Sequence, residues 1–369
     1  MRTVIFGSTL IGIMGVSILS PALPDVKEAL SLNDFQVGLL ITVFTLPGIF
    51  FAPIMGILAD RYGRGIVLSL SLITFGLAGF ACAFVNFETM LILRLIQGIG
   101  GSALTSLAVT LIGDIYNGFE RVKMLGYNAS ALSIGLAVYP LIGGILAGFD
   151  WRFPFIASLS SIPIGLLALK LKHRSDRKKF RLKLDREILL AYLLGCSVFL
   201  FTYGVFYFYI PIMLEDRFNA NSIIRGLVQS STLILTAFVA SKLSFFVKRF
   251  GTYGTISLGF LGYGISLLTI PLSTSIVIMA LFTMIYGFGH GTVLPALQNL
   301  LVEKTDIENR ATVITIYNST IRVGQTIGPI IASFIGYSSF LISSILSFTL
   351  ATLVFLSKII YYDRFPDRT

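Results

Sequence analysis

The feature that most constrains this chain is a series of apolar runs, each long enough to cross a lipid bilayer as a helix. A membrane-spanning helix needs about 20 apolar residues, and the sequence offers twelve such runs. Only 12% of the residues are charged, which is too few for the surface of a soluble protein of this length. We therefore predict an all-α, polytopic membrane protein. The predicted spans lie near residues 4–24, 35–59, 65–86, 89–115, 122–148, 152–171, 188–213, 223–246, 252–272, 274–301, 310–335 and 338–360.

The basic residues are distributed asymmetrically, and this distribution predicts the orientation. The run 170–186 and most other Lys and Arg residues fall on one side of the predicted bilayer, whereas Lys27, Arg152, Arg217 and Arg225 fall on the other. Basic loops are retained in the cytoplasm, so we predict a multi-pass protein of a prokaryotic inner (cytoplasmic) membrane with both termini cytoplasmic. The net charge of +10 is explained by this orientation and does not indicate a nucleic-acid partner.

An internal repeat predicts how the spans are arranged. The segment 244–251 aligns with 56–63 at an offset of 188 residues, and 287–289 aligns with 98–100 at an offset of 189. Two parallel copies of six spans, related by an axis along the membrane normal, are expected to enclose a cavity between them. We therefore predict twelve transmembrane helices in two pseudo-twofold-related six-helix bundles. The predicted N-terminal bundle, cytoplasmic linker and C-terminal bundle cover residues 1–172, 173–187 and 188–369.

The repeat extends to a pattern rich in glycine and proline in the fifth and eleventh spans. The segment 324–329 reads Gly-x-x-x-Gly-Pro and aligns with 135–140 at the same offset of 189. Small residues let membrane helices approach closely, so we expect both segments to lie at helix contacts. The predicted helix-packing residues are Gly135, Pro140, Gly143, Gly144, Gly324, Gly328 and Pro329.

Four short patterns resemble motifs of one transporter family. The loop at 56–64 reads Gly-x-Leu-x-Asp-Arg-x-Gly-Arg, and Arg94 begins an Arg-x-x-Gln-Gly pattern. The first span ends in Pro-x-x-Pro at 21–24, and 135–144 reads Gly-x-x-x-Tyr-Pro-x-x-Gly-Gly, with Tyr139 where the family has Gly. Together these patterns resemble the major facilitator superfamily, and in particular its drug:H+ antiporter-like branch. The resemblance covers nearly the whole chain and implies the major facilitator fold and secondary active transport by alternating access.

The resemblance also implies roles for charged residues near the loop at 56–64. Asp60 is implied to dock near the start of the eleventh helix, where unpaired amides favour an anion, and so to help close the cytoplasmic side. Replacing it with Asn is expected to favour the inward-open state and to lower transport. The expected ion pairs are Asp114 with Arg61 or Arg64, and Glu303 with Arg249. The predicted gating residues are Gly56, Asp60, Arg61, Gly63, Arg64, Asp114, Arg249 and Glu303.

Polar and aromatic residues inside the spans predict the substrate site. Polar side chains recur at helical spacing on the eleventh span and should avoid lipid. Phenol rings four residues apart on the seventh span suit amphipathic organic solutes. For Arg94 and Arg322, a packing role remains an open alternative to a functional one. The predicted substrate-binding residues are Arg94, Gln97, Tyr203, Tyr207, Gln229, His290, Asn318, Arg322 and Gln325.

Proton coupling in this class needs a titratable group where water is scarce, and the sequence offers few. All acidic residues fall in loops or at span ends. His290 is the mid-span residue that titrates near neutrality, and we predict it as the proton site; a structural histidine bonded to a neighbouring helix is the alternative. Asp25 and Asp34, at the outer ends of spans, are the other candidates.

The sequence favours one function and leaves an alternative. The favoured function is proton-coupled efflux of small amphipathic organic solutes or drugs. The alternative is a carrier for a small organic or inorganic anion that uses Arg94, Arg322 and His290; a transporter-shaped receptor is a third, weaker reading. The sequence shows no pattern typical of a nucleophile–base pair, a metal cluster or a phosphate-binding loop, so we predict no enzyme activity, cofactor or metal. The expected partners are a small-molecule substrate, protons and the lipid bilayer, and we expect a monomer.

Overall fold

The computed structural model describes residues 1–171, 185–305 and 310–364, and these residues form an all-α fold. Residues 173–184 of the predicted linker lie outside the described residues. We refer to residues 1–171 as the N-half and to 185–364 as the C-half. The helices, numbered in chain order, are α1 (Arg2–Ala29), α2 (Asp34–Tyr62), α3 (Arg64–Phe84), α4 (Phe87–Ile115), α5 (Gly118–Phe149), α6 (Phe153–Ala168), α7 (Arg186–Phe218), α8 (Ser222–Ser241), α9 (Leu243–Leu272), α10 (Ile276–Glu303), α11 (Arg310–Ile335) and α12 (Ser338–Arg364).

The helices confirm the predicted all-helical membrane fold. Within the described residues, ten helices are long and apolar enough to cross a membrane, compared with the twelve spans predicted. The remaining two predicted spans are α6, which is apolar but shorter, and α11. The polar residues of α11 lower its hydropathy, and several of them face the other half rather than lipid. A helix of lower hydropathy can cross a membrane when its polar face is covered by protein.

The sequence repeat is also a repeat in the structure. Gly63 joins α2 to α3 with φ 100°, and Gly251, its partner in the repeat, interrupts α9 with φ 71°. Both values lie in the left-handed region that favours glycine. A side chain on Gly98 would collide with the carbonyl oxygen of Phe44, and one on Gly287 would collide with that of Thr232. Equivalent glycines therefore hold α4 against α2 in the N-half and α10 against α8 in the C-half.

The two halves meet mainly along two helix pairs. Helix α5 packs against α8, and α2 packs against α11. Because α5 corresponds to α11 in the repeat, and α2 to α8, the two pairs are equivalent by the pseudo-symmetry. The region between these pairs is where the predicted cavity should lie.

Helices α2, α4 and α7 each depart from a regular α-helix within their length. The first segment of α2 ends at Thr45 and a second begins at Pro47, whose ring removes a backbone donor. Helix α4 is interrupted between Gly101 and Leu104, and α7 contains a π-helical segment, Thr202–Tyr209. Interruptions of this kind release backbone carbonyls that side chains can then bind.

Candidate functional site

One end of the bundle, which we call the Asp25 end, is closed by an ion pair between the halves. Arg225 of α8 donates to Asp25 of α1 at 2.7 Å, and its second terminal nitrogen lies 3.7 Å from Glu215 of α7. Only 1% of the Arg225 side chain is exposed, compared with 33% of Asp25. A buried guanidinium is costly unless it is paired, so the carboxylates at this end hold the first turn of α8 in place.

On the side of this ion pair that faces the middle of the bundle, backbone carbonyls of the π-helical segment of α7 accept a second set of hydrogen bonds. Ser20 of α1 donates to the carbonyl of Tyr207. Gln229 of α8 donates both to Ser20 Oγ at 2.7 Å and to the carbonyl of Phe206 at 2.9 Å. The released carbonyls of α7 therefore join α1 and α8. Gln229, a predicted substrate-binding residue, is buried at this contact.

Glycines close the same end through direct backbone contact between α5 and α8. A Cβ on Gly144 would collide with the carbonyl oxygen of Ser222, and a Cβ on Gly226 would collide with that of Pro140. Gly143 lies against the carbonyl of Ile18 of α1. The predicted packing residues of α5 therefore lie at helix contacts, and Gly144 and Pro140 lie between the halves.

The equivalent pair, α2 and α11, is joined by hydroxyl groups. Thr42 donates to the carbonyl of Thr326 at 2.9 Å, and Thr326 donates to Thr45 Oγ1 at 3.1 Å. A Cβ on Gly38 would lie 3.2 Å from the carbonyl oxygen of Pro329, which is tight but not a collision. The remaining predicted packing glycines lie at contacts within a half: Gly135 faces Ile13, Gly324 faces the carbonyl of Cys196, and Gly328 faces that of Leu200.

The opposite end, which we call the Arg64 end, contains the predicted gating residues. Arg64 is 5% exposed and bonds Asp114 at 2.6 Å and Asp60 at 3.4 Å. Asp114 thus pairs with Arg64, one of the two partners that we predicted. Arg61 is exposed and stacks on Tyr62. Residues 306–309, before the start of α11, lie outside the described residues, so the predicted docking of Asp60 remains a prediction.

The C-half does not repeat this ion pair. Glu303 accepts a hydrogen bond from Asn299 at 2.6 Å, and among the described residues no ion pair joins it to Arg249, which is exposed. Gly56 has open space where a Cβ would be, so close packing does not explain a glycine there in this state. In this state Glu303 therefore bonds Asn299, one turn earlier on its own helix, and the described residues do not form the predicted Glu303–Arg249 pair.

Arg322 of α11 reaches from the C-half into the N-half. It donates to the carbonyl of Ser102 at 2.8 Å, at the interruption of α4. Its guanidinium lies directly against Gly48, just beyond the interruption of α2, where any side chain would collide with it. Asn318, one turn nearer the Arg64 end, is exposed, whereas Gln325 is buried. Arg322 and Asn318 therefore both lie on the face of α11 that is open between the halves.

The predicted aromatic and histidine residues form a network within the C-half. The rings of Tyr203 and Tyr207 are 5.4 Å apart. His290 Nδ1 bonds the Tyr263 hydroxyl at 2.9 Å, and its ring stacks on Tyr286. Tyr286 in turn bonds Thr202 of the π-helical segment at 2.9 Å. These contacts of His290 match the structural alternative stated for it.

Two other predicted residues, Arg94 and Gln97, lie inside the N-half. Arg94 is 1% exposed and donates to the carbonyls of Gly15 and Leu40 and to Gln97, at 2.8 to 3.1 Å. Gln97 donates to Ser158 at 3.2 Å. Both are fully buried, so neither reaches the space between the halves in this state.

Several residues of the site were missed at the level of sequence. Arg225 entered the prediction only as a charge on the outer side of the bilayer, and Glu215 and Ser20 were not singled out. Asn128 of α5 accepts from Thr9 of α1 at 2.6 Å and was not singled out. A signal for Arg225 existed: an arginine one turn into an otherwise apolar span needs a partner, and the carboxylates near the ends of the first and seventh spans were available.

The open side lies toward the Arg64 end. Ser130 and Ser133, in the half of α5 that begins at this end, are exposed together with Asn318 of α11. Polar residues exposed on a membrane helix normally face water or protein rather than lipid. The described contacts therefore join the halves at the Asp25 end, while exposed polar side chains of α5 and α11 lie toward the Arg64 end.

Comparisons with known proteins agree with this architecture. The family model described as Major Facilitator Superfamily matches residues 5–244 and 192–367. The chain is 28% identical over 342 residues to the bacillibactin exporter of Bacillus subtilis (strain 168), covering 86% of this chain and 85% of that protein. It is 26% identical over 347 residues to the class B tetracycline resistance protein of Escherichia coli, covering 88% and 85%.

The fold is shared with solved structures at low sequence identity. A bacterial homolog of the human lysosomal transporter Spinster, in an inward-facing and occupied conformation, superposes with a TM-score of 0.82. The match covers 97% of this chain and 96% of that chain at 16% identity. At this identity the likeness shows the fold alone.

Proposed function

The chain belongs to the Major Facilitator Superfamily, and on that premise we propose that it exports small amphipathic organic solutes or drugs by proton-coupled alternating access. It is a secondary transporter of small molecules rather than an enzyme. The proposal of export is supported by the two full-length relatives, whose names describe an exporter and a resistance protein.

The observation that carries the proposal is the difference between the two ends of the bundle. At the Asp25 end the halves are joined by an ion pair, by hydrogen bonds from Ser20 and Gln229, and by backbone contact at Gly226. Toward the Arg64 end, the polar side chains of Ser130, Ser133 and Asn318 are exposed. We propose that this state receives solute from the cytoplasm, with the Arg64 end and both termini cytoplasmic, and that opening the Asp25 end releases it.

Among the candidate proton sites, the contacts favour Asp25. His290 bonds residues of its own half, and Asp34 pairs with Lys27 at 2.6 Å, also within one half. Asp25 instead pairs with Arg225 across the halves, with Glu28 and Glu215 nearby. Asp25 thus pairs with a buried arginine across the halves, so a change in its protonation is coupled to closure of this end.

The test is transport by the purified protein in liposomes with an imposed pH gradient. Cationic, neutral and anionic amphipathic solutes are offered, and solute movement is followed before and after an ionophore collapses the gradient. We expect gradient-dependent movement of at least one solute, with the opposing proton flux reported by an internal pH dye. Solute movement that is indifferent to the gradient would exclude proton coupling. Failure to move any solute of the panel would contradict the export proposal.

A further inference from the structure

Two arginines lie deep inside the helices, and they differ in how their donors are used. Arg94 directs four hydrogen bonds to the carbonyls of Gly15 and Leu40 and to Gln97, and its guanidinium stacks over Phe44 at 4.3 Å. It is satisfied by the N-half alone and 1% exposed. Within the described part of the chain, Arg322 makes a single hydrogen bond, to the carbonyl of Ser102, and is only half-buried. A guanidinium has five N–H donors, so most of those of Arg322 remain available.

Among the described residues, Arg322 also has no carboxylate partner. None of the ion pairs formed by the described residues includes it, and the acidic residues of the chain fall in loops or at span ends. An unpaired charge at mid-membrane depth is expensive and normally has a functional partner. The absence of an internal partner suggests that the partner is supplied from outside the chain.

The surroundings of Arg322 keep its guanidinium in place while leaving its free donors accessible. Because Gly48 has no side chain, the guanidinium of Arg322 can lie against the backbone of α2. The Ser102 carbonyl is available because α4 is interrupted there. On the C-half side the phenol of Tyr203 lies within electrostatic reach of Arg322, and its ring packs against Phe199 at 6.1 Å. The guanidinium of Arg322 therefore lies within electrostatic range of the aromatic pair formed by Tyr203 and Phe199.

We propose that Arg322 binds the carboxylate of the exported solute, and that the solutes this protein prefers are aromatic organic acids. The proposal rests on the exporter function and specifies its substrate class. A planar guanidinium matches a carboxylate in a bidentate arrangement, and Tyr203 and Phe199 offer faces for the apolar body of the solute. The Ser102 carbonyl is the resting partner of Arg322, and the free N–H groups receive the acid.

The test uses pairs of probes that differ only in charge. Radiolabelled 1-naphthoate and its uncharged amide, 1-naphthamide, are offered to the purified full-length protein in nanodiscs, and binding is measured by scintillation proximity. We expect the wild type to bind the acid about tenfold more tightly than the amide, the scale of a charge-assisted bidentate contact. Arg322→Gln should abolish this preference without changing amide binding, and Arg322→Lys should retain part of it.

The control variant is Arg152→Gln, which removes the same charge from an exposed arginine paired with Asp150 at 3.5 Å and should keep the preference. Equal binding of acid and amide by the wild type, a preference that survives in Arg322→Gln, or no saturable binding of the acid would overturn the proposal. A parallel transport assay separates its failure from that of the proposed function. Transport of neutral and cationic solutes but not of the acid would contradict only the proposed substrate class. Transport of no solute would contradict the proposed export function itself.

Discussion

The two helix pairs that join the halves occupy equivalent places in the repeat but are built differently. In the α5–α8 pair, Gly144 and Gly226 bring backbone against backbone and leave no room for a side chain. In the α2–α11 pair, Gly38 has more space beside Pro329, and hydroxyl bonds such as that from Thr42 cross the gap. A backbone contact has one favourable separation, whereas hydroxyls can exchange partners or bind water. We therefore expect opening of the Asp25 end to begin at α2–α11.

The largest effect is expected from adding one methyl group to each pair. In Gly226→Ala the methyl group would collide with the Pro140 carbonyl, whereas in Gly38→Ala it would lie 3.2 Å from the Pro329 carbonyl. Overpacking of this kind costs about 1–3 kcal/mol, or roughly tenfold to a hundredfold in the closed-to-open ratio. Gly226→Ala should lower transport strongly and Gly38→Ala only slightly.

The same pair of variants can be compared by chemical labelling. Ser222→Cys, buried at the α5–α8 contact, is labelled with a maleimide in a background without Cys82 and Cys196. Labelling should accelerate in Gly226→Ala and stay near the parent rate in Gly38→Ala. Equal effects of the two methyl groups would remove the distinction between the helix pairs.

The next effect concerns the ion pair at the Asp25 end. Asp25→Asn and Arg225→Gln should each favour opening, by about 1–2 kcal/mol, because the bond to a charged group is lost while water reaches Asp25. Opening changes the surroundings of the Asp25 carboxylate, so its protonation and the opening of this end are coupled. Asp25→Asn should therefore flatten the pH dependence of opening, measured by Ser222→Cys labelling.

The matched control is Asp34→Asn, which removes a carboxylate paired with Lys27 inside the N-half. It should leave both the labelling rate and its pH dependence close to those of the parent. If Asp34→Asn flattens the pH profile while Asp25→Asn preserves it, the proton site is misassigned. A profile flattened only by His290→Ala would return the role to the residue first predicted.

A smaller effect is expected at the hydroxyls of the α2–α11 pair. Thr42→Val and Thr326→Val each remove a hydrogen bond between the halves, worth about 0.5–1.5 kcal/mol. Both variants should still transport, with labelling of the Asp25 end a few-fold faster. Thr349→Val, which loses only a bond to its own helix, is the control. A loss as large as that of Gly226→Ala would show that the two pairs are equally fixed.

The smallest effect should arise at the opposite end. Asp60 lies 3.4 Å from Arg64 and is 39% exposed, so Asp60→Asn should change the conformational equilibrium by less than about 1 kcal/mol. It should favour opening of the Arg64 end and lower transport modestly without altering Ser222→Cys labelling. Lys248→Gln, at the equivalent position of the C-half, should have no effect. Faster labelling in Asp60→Asn would show that the two ends are not controlled separately.

Much of the fold follows from the sequence because its causes are local. The apolar runs give the helices, and the glycines at 63 and 251 mark equivalent positions since both need left-handed backbone. The ion pair of Arg64 with Asp114 was also accessible, because both residues lie at helix ends on the same side. The span count was less accessible: α11 is not among the helices apolar enough to cross a membrane, because polar residues such as Arg322 and Thr326 turn toward the other half.

The candidate site could be predicted only in part, because its contacts join distant segments. Asp25 and Arg225 are 200 residues apart in sequence, and nothing local shows that they meet. The sequence gives the same chemistry to Arg94 and Arg322, but burial and hydrogen bonding separate them. The π-helical segment of α7 was also missed, because its aromatic residues are compatible with an ordinary helix.

The hydrogen bonds of Arg94 have a consequence for how the protein moves. Arg94 of α4 donates hydrogen bonds to the backbone carbonyl of Gly15 in α1 and to that of Leu40 in α2. These acceptors are present whatever side chains the two positions carry. The hydrogen bonds of Arg94 thereby join α1, α2 and α4, and we expect these three helices to move as one rigid body during the transport cycle. Spin labels placed on any two of them should report one constant distance, while labels that straddle the halves report two.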